Sequence, residues 1–242
     1  MNKKTEWFAS WFDTSYYHIL YKHRDDTEAQ EFIKNIVALL SINKQDNLLD
    51  LACGKGRHSI FLNKLGYNVV GADLSKNSIN IAKKFENESL RFIEHDMRNP
   101  LQHKYNVILN LFTSFGFFED DNEDIKILKN IKNGLKTDGI AIIDFMNSKK
   151  VINNLVPKEV QTIDGITFNL SRYVENGFVI KKINFEADGE NHTYFEKVKC
   201  LDLTKINLYL DSVGFKIKHT FGNYQLDSFN ENTSDRLILV LE

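Results

Sequence analysis

The chain is short of cysteine, of surplus charge and of long apolar runs, and each shortage argues against a class of protein. Two cysteines, Cys53 and Cys200, stand among 242 residues. They lie far apart in sequence and match no metal-ligand spacing, which suits a reducing compartment. The formal net charge is −2, so the total carries no strong basic footprint of a nucleic-acid binder. No stretch reaches the uninterrupted apolar length that spans a bilayer. The start, Met1-Asn-Lys-Lys-Thr-Glu-Trp7, is basic but has no apolar core behind it, so no signal peptide is expected. Repeats and low-complexity tracts are missing as well. These shortages lead to the expectation of a cytoplasmic protein without nucleic-acid or membrane partners. A hydrophobic content of 42% is enough for a substantial core.

What is present is concentrated between Asn47 and Ser59. Leu48, Leu49 and Leu51 read as a buried parallel strand that breaks into a glycine turn and opens a helix. Gly54 and Gly56 remove side chains where a ligand would approach the backbone. Ser59 takes the third small position, where helix and strand pack closely. Amides at the start of that helix are expected to face the site beside its positive dipole end. The apolar run Asn68–Ala72 then ends in Asp73, where a nucleotide-type fold places an acid for ribose hydroxyls.

A strand, a glycine loop and an acid suit either a dinucleotide or S-adenosylmethionine. The loop chemistry separates the two. A pyrophosphate wants bare amides, whereas Asp50 at the end of the first strand would repel it at short range. The same carboxylate suits the ammonium of a methionine tail. Adenosylmethionine is favoured, and a nicotinamide oxidoreductase is the weakest reading.

Several ordered motifs share one resemblance. Asp50-Leu-Ala-Cys-Gly-Lys-Gly-Arg-His58 resembles the first motif of class I S-adenosylmethionine-dependent methyltransferases, and Gly71-Ala-Asp73-Leu-Ser75 matches their second-strand acid. Glu94-His-Asp96-Met-Arg98 resembles the acid and apolar pair that flank the adenine. Asn110-Leu-Phe-Thr113 stands in the fourth-strand motif. Leu135-Lys-Thr-Asp-Gly139 resembles the turn into the fifth strand and departs from the family pattern at two positions. The resemblance implies a doubly wound, Rossmann-like, mostly parallel seven-stranded α/β sheet. It also implies S-adenosylmethionine as cofactor and S-adenosylhomocysteine as product. The implied cofactor residues are Asp50, Ala52, Gly54, Gly56, Asp73, Leu74, Asp96, Met97, Asn110, Leu111 and Phe112.

The rhythm along the chain agrees. Trp7–Tyr21 is crowded with aromatics, and Thr27-Glu-Ala-Gln30 has a capping-box pattern ahead of a helix carrying Phe32, Ile33, Ile36, Val37 and Leu40. Residues 1–46 are therefore expected to form an aromatic, helical cap. Strands and helices alternate from Leu48 to Phe145 in βαβ order. After Asn147 the pattern changes. Asp164-Gly165, Asn176-Gly177 and Asp188-Gly189 suit hairpin turns of positive φ, so residues 151–200 are expected to form an antiparallel meander of about four strands. A helix capped by Asp202 then returns to the core, and Phe215–Phe221 and Arg236–Leu241 close the sheet. The expected cofactor domain is thus 47–150 with 201–242.

The resemblance implies methyl transfer to an oxygen or nitrogen of a small acceptor by in-line displacement. It leaves the acceptor open, with an RNA or protein methyltransferase and a non-catalytic cofactor-binding module as rivals. Base-amino methyltransferases of this fold carry Asn/Asp-Pro-Pro-aromatic where this chain has Asn110-Leu-Phe-Thr113, which counts against nucleic acid. No metal is expected. His58 and Asp144 are candidates for a catalytic group, and Asn147 for facing the acceptor. Tyr17, Tyr21 and Arg24 are candidates for touching ligand from the cap. Arg172, His192 and Tyr194 lie on the meander, which is expected to act as an acceptor-selecting lid or as the sheet of a homodimer.

Overall fold

The computed structural model describes residues 6–22 and 26–242. Two short helices lead, α1 (Trp7–Trp11) and α2 (Ser15–Leu20), followed by α3 (Asp26–Leu39). Helix α3 begins one residue ahead of Thr27, so the capping-box threonine lies within its first turn rather than at its cap. The alternating segment holds β1 (Asn47–Leu51), α4 (Arg57–Lys64), β2 (Asn68–Asp73), α5 (Lys76–Ala82) and β3 (Leu90–Glu94). It continues with β4 (Tyr105–Asn110), α6 (Asp121–Gly134), β5 (Leu135–Met146) and a short α7 (Ser148–Asn153) that the periodicity does not announce. The meander is β6 (Lys158–Ile163), β7 (Ile166–Glu175), β8 (Phe178–Ala187) and β9 (Glu190–Lys199). Helix α8 (Leu203–Ser212) returns to the first sheet, which β10 (Ile217–Phe221) and β11 (Arg236–Leu241) complete.

Seven strands lie in the order β3-β2-β1-β4-β5-β11-β10. The first five are parallel, and β11 is antiparallel to both of its neighbours, β5 and β10. The apolar run Leu237–Leu241 therefore takes an internal position, as its composition requires. Successive strand residues face opposite sides, and both sides are buried. Leu48, Val107 and Leu109 pack with Phe32, Ile33, Ile36, Leu62 and Ile79. Leu49, Leu51 and Ile108 pack with Ile127, Leu128, Ile131, Ile206 and Leu210. The result is helices on each face of a doubly wound sheet.

The expected hairpins form at the expected dipeptides. Asp164, Asn176 and Asp188 have φ of 50°, 50° and 54°, each followed by a glycine at 77–83°, the geometry that two-residue hairpin turns demand. The four-stranded sheet β6-β7-β8-β9 covers Trp11 and Leu20 of the leading helices with Phe168, Leu170, Ile183 and Phe185. A third apolar cluster therefore fastens the aromatic N-terminus to the meander.

Candidate active site

All the parallel strands end at one edge, and the site is built from the segments that leave it. The last residues of β1 from Asp50 and the loop to Lys55, Asp73 at the end of β2 with the residues to Lys76, His95–Met97 after β3 and Leu111–Ser114 after β4 all contribute. Together they bound a cavity of about 630 Å³, roofed by α1 and α2 and by Glu196 and Val198 of β9. Open α/β sheets bind ligands at this carboxyl edge.

The two loop glycines do different work. Gly54 has φ of 56°, and a Cβ built there meets nothing within 4 Å, so its open side faces the cavity. Gly56 does not line the cavity. It sits at φ 81° as the N-cap of α4, and a Cβ there would stand 2.5 Å from the Phe92 ring. Its amide is spent on the Cys53 carbonyl, at 3.0 Å. The ligand-approach role expected of Gly56 is thus replaced by close helix–strand packing. Ser59, expected as the small residue at that contact, meets Gly71 there: Ser59 Oγ would lie 2.8 Å from a Cβ on Gly71.

Two carboxylates face the cavity from the first two strand ends. Asp50 is 1% exposed, and burial pushes its pKa up to about 6 against the hydrogen bond it accepts from Ser59 Oγ at 2.6 Å. Among the described residues no cation forms an ion pair with it. Asp73 accepts the Gly54 amide on Oδ2 and the Ser75 amide on Oδ1, both at 2.8 Å, and burial raises its pKa. These bonds tie the glycine loop to β2 and fix the direction of the carboxylate. Leu74, Met97 and Ala52, the last at φ 63°, complete this end of the cavity.

Asp96 also lines the cavity, in company the sequence did not suggest. Burial works to raise its pKa, but Arg98 outweighs burial with bonds of 2.6–3.0 Å and holds it below its ordinary value. The same guanidinium reaches Glu6 at 2.7 and 2.9 Å, linking the third strand end to the roof. The signal was available in Arg98 two positions after the acid.

The residues after β4 hold a strained turn. Phe112 and Thr113 have φ of 58° and 61°, and both line the cavity. Consecutive non-glycine residues in this region cost energy and persist only where the surroundings impose them. Asp144 imposes them here: Oδ2 accepts the Phe112 amide at 2.9 Å and the Tyr224 hydroxyl at 3.1 Å, and its main-chain carbonyl accepts the Thr113 amide at 2.9 Å. Arg236 donates to Asp144 Oδ1 at 2.8 Å and to Thr113 Oγ1 at 2.9 Å. Asp144 is fully buried and outside the cavity, so it braces the turn and is not the catalytic candidate the sequence suggested. Asn147 is also diverted, since its side chain donates to the Glu231 and Ser234 carbonyls. Asn110 is buried behind the wall, donating to the Leu51 carbonyl at 3.1 Å, and does not line the cavity.

His58 does line it, stacked on Phe112 with centroids 4.9 Å apart. Burial, then the neighbouring Arg57, lowers its pKa to about 3, so the imidazole is neutral at ordinary pH and has little appetite for a proton. Burial raises the Cys53 thiol well above its usual value, which leaves no thiolate there to act as nucleophile. No cluster suited to a metal ion occurs among the described residues.

Tyr17 and Tyr21 reach the cavity as expected, beside Trp7, Phe8, Phe12 and Phe117. Arg24 lies outside the described residues. Arg172 does not line the cavity: it pairs with Glu159 at 2.6 Å. Tyr194 is packed on Trp11, at 4.7 Å between rings, and His192 on Phe185, at 4.9 Å. Both belong to the apolar contact between meander and leading helices. The meander residues that do face the cavity, Glu196 and Val198, lie on the same face of β9 two and four positions beyond Tyr194, a period-2 signal the sequence offered.

The donor set fits S-adenosylmethionine. Asp50 suits its ammonium, Asp73 its ribose hydroxyls, and the open face of Gly54 leaves room for it between them. Buried nitrogens of cavity-lining residues also lack partners among the described residues: Trp7 Nε1, His58 Nε2 and His95 Nε2.

Comparison with known proteins agrees. A family model described as a methyltransferase domain matches residues 48–139. A putative methyltransferase, YqeM of Bacillus subtilis, is 30% identical over 115 residues, 46% of this chain, and the match spans about half (47%) of that protein's own length. Glycine/sarcosine N-methyltransferase of Aphanothece halophytica is 26% identical over 90% of this chain and 82% of its own. Among solved structures, an S-adenosylmethionine-dependent methyltransferase from Clostridium acetobutylicum shares the fold, with a TM-score of 0.79 at 20% identity over 94% of this chain and 95% of that one. With the ordered motifs, the sheet order and the donor set, these likenesses together support a class I S-adenosylmethionine-dependent methyltransferase.

Proposed function

We propose that the protein moves a methyl group from S-adenosylmethionine to the nitrogen of a small-molecule amine. The observation that carries this reading is the shape of the cavity. The cavity that Asp50, Asp73 and Asp96 line is also walled by Trp7, Phe8, Phe12, Tyr17 and Phe117, and the strained turn at Phe112 and Thr113 borders it as well. About 630 Å³ is the size of a site for one cofactor and a small acceptor. The choice of nitrogen draws on the glycine/sarcosine N-methyltransferase likeness.

When bound, S-adenosylmethionine supplies a methyl group already activated on its sulfonium. The chain's task is then binding and alignment. Asp50, Asp73 and Asp96 hold the cofactor end, while the braced turn and the aromatic walls place the acceptor. Alignment of this kind is worth about 7–11 kcal/mol of barrier in well-oriented systems. A neutral amine brings its own lone pair, so no general base is invoked, and the cavity histidines His58 and His18, lowered by burial to about 3 and about 4, bind protons weakly.

The test is formation of S-adenosylhomocysteine by the purified protein with a panel of small amines (glycine, sarcosine, ethanolamine, amino sugars) and matched alcohols. Turnover confined to amines is expected. Turnover with the alcohols alone, or with RNA or protein alone, would overturn the reading. In the same preparation Asp73→Ala should weaken S-adenosylhomocysteine binding about 10–100-fold in a calorimetric titration, the worth of charge-assisted hydrogen bonds.

A further inference from the structure

We infer that Glu196, on the meander strand β9, is a specificity-determining residue that takes a hydrogen-bond donor of the acceptor and turns away acceptors carrying a carboxylate. The inference rests on the amine reading above and deepens it.

Lys181 of β8 stands opposite Glu196, Ile183 opposite Tyr194, Phe185 opposite His192 and Val179 opposite Val198. These residues share the face of the meander turned toward the leading helices. Ile183, Phe185 and Tyr194 make that face an apolar seal around Trp11. At Glu196 the seal gives way to the cavity, and a carboxylate stands where the apolar pattern would place another hydrophobic side chain.

A carboxylate in such a wall needs donors, and its own are mostly neutral. Trp11 Nε1 donates to Oε1 at 2.8 Å, and the Tyr21 hydroxyl reaches both oxygens at 2.6 and 2.7 Å. The ammonium of Lys181 stands back, 3.9 Å from Oε2, and donates instead to the Tyr21 hydroxyl at 2.7 Å. A carboxylate can accept about four hydrogen bonds, so these partners leave capacity on a group that lines the cavity. Trp11 is fully buried and Tyr21 is anchored from two sides, so the carboxylate is held in one orientation before any acceptor arrives. A fixed anion in an aromatic chamber favours N–H and O–H donors and repels a carboxylate at short range.

This placement also explains why the group is on the meander. The cofactor-binding carboxylates leave strand ends of the seven-stranded sheet, whereas Glu196 approaches from the opposite wall. It is therefore free to select the acceptor without touching the cofactor residues.

The experiment compares the wild type with Glu196→Gln and Lys181→Met, using ethanolamine and glycine as a matched pair of amines without and with a carboxylate. Initial rates, binding of each amine in the presence of S-adenosylhomocysteine, and binding of S-adenosylhomocysteine alone are measured. The glutamine keeps an oxygen for Trp11 and Tyr21, so the fold is preserved. The wild type should prefer ethanolamine. Glu196→Gln should raise its KM and Kd about 10–100-fold and narrow the preference, with S-adenosylhomocysteine affinity unchanged. Lys181→Met keeps the carboxylate and should retain the preference. Equal kcat/KM for both amines in wild type and Glu196→Gln would overturn the inference and leave the amine reading standing. So would a parallel loss of S-adenosylhomocysteine affinity in Glu196→Gln, which marks a merely structural role. A wild type that turns over no amine overturns both.

Discussion

Asp50 is a carboxylate whose titration should be visible in ligand binding. Burial raises it to about 6, and among the described residues no cation pairs with it. Only the ionised form attracts an ammonium. Below about pH 6 the carboxyl is protonated in the free protein, and each further pH unit should weaken binding about tenfold. S-adenosylhomocysteine carries the same amino-acid end as the cofactor and suits a titration between pH 5 and 7. The expected result is a fall in affinity toward pH 5 in the wild type and a flatter profile in Asp50→Asn, with lower affinity at pH 7. Identical profiles would place the ammonium elsewhere. The stability of the ligand-free protein should move the other way. A folded-state pKa above the unfolded one favours the fold most below about pH 4. That contribution is lost as pH rises through about 6, so ligand and proton compete for one buried group.

At the scale of elements, the strained turn after β4 is the part of the site that most depends on distant sequence. Phe112 and Thr113 gain their left-handed backbone because Asp144 on β5 accepts both amides, while Arg236 at the start of β11 grips Asp144 and Thr113 together. Asp144→Asn should leave the Arg236 guanidinium facing an uncompensated buried site and cost about 3–5 kcal/mol in equilibrium urea unfolding. Turnover should fall as well, because the turn walls the cavity. Unchanged unfolding would mean that the turn holds itself. This dependence explains what could be read in advance. The βαβ order, the three hairpins, the Asp202 cap and the internal place of Leu237–Leu241 follow from local periodicity and turn chemistry, which neighbouring residues carry. Asp50, Gly54, Asp73, Leu111 and Phe112 stand at strand ends, so a strand assignment alone places them at the cavity. Asp144, Arg172 and Tyr194 were candidates by residue type and Asn110 by the family resemblance, but which way they point is settled by partners 13–183 positions away: Arg172 by Glu159, Asn110 by Leu51, Asp144 by Arg236, Tyr194 by Trp11. Gly56 was misread for a related reason, since a glycine that clears a ligand and one that clears Phe92 look alike in sequence.

For the whole molecule, residues 6–22 form a strap that crosses the cavity and is fastened on both sides. Toward the seven-stranded sheet, Glu6 pairs with Arg98 at 2.7 Å, and Asp13 binds Ser75 Oγ and, at 2.7 Å, Asn77 Nδ2 at the start of α5. Toward the meander, Lys22 pairs with Asp164 at 2.8 Å and Tyr16 donates to Asp188 at 2.7 Å. Between these latches lie Trp7, Phe8, Phe12 and Tyr17 on the cavity and Trp11 in the seal. Exposed pairs such as Lys22–Asp164 contribute little, about 0–1 kcal/mol each. Toward the meander the strap is held by the seal around Trp11, and toward the cofactor end by the Glu6 and Asp13 latches and by Phe8, Trp7 and Phe12 packed on the main core. A cofactor sheltered by such a strap leaves when that edge lifts, so its release rate should follow the latch and not global stability. Asp13→Ala removes the bonds to Ser75 and Asn77 while leaving the seal and the cofactor carboxylates in place. Amide hydrogen exchange in residues 6–22 should quicken in this variant, and S-adenosylhomocysteine should dissociate several-fold faster in stopped flow, with the melting temperature shifted by no more than a surface contact warrants. If exchange quickens but dissociation does not, the cofactor escapes without moving the strap, and closure over the site is no part of the catalytic cycle.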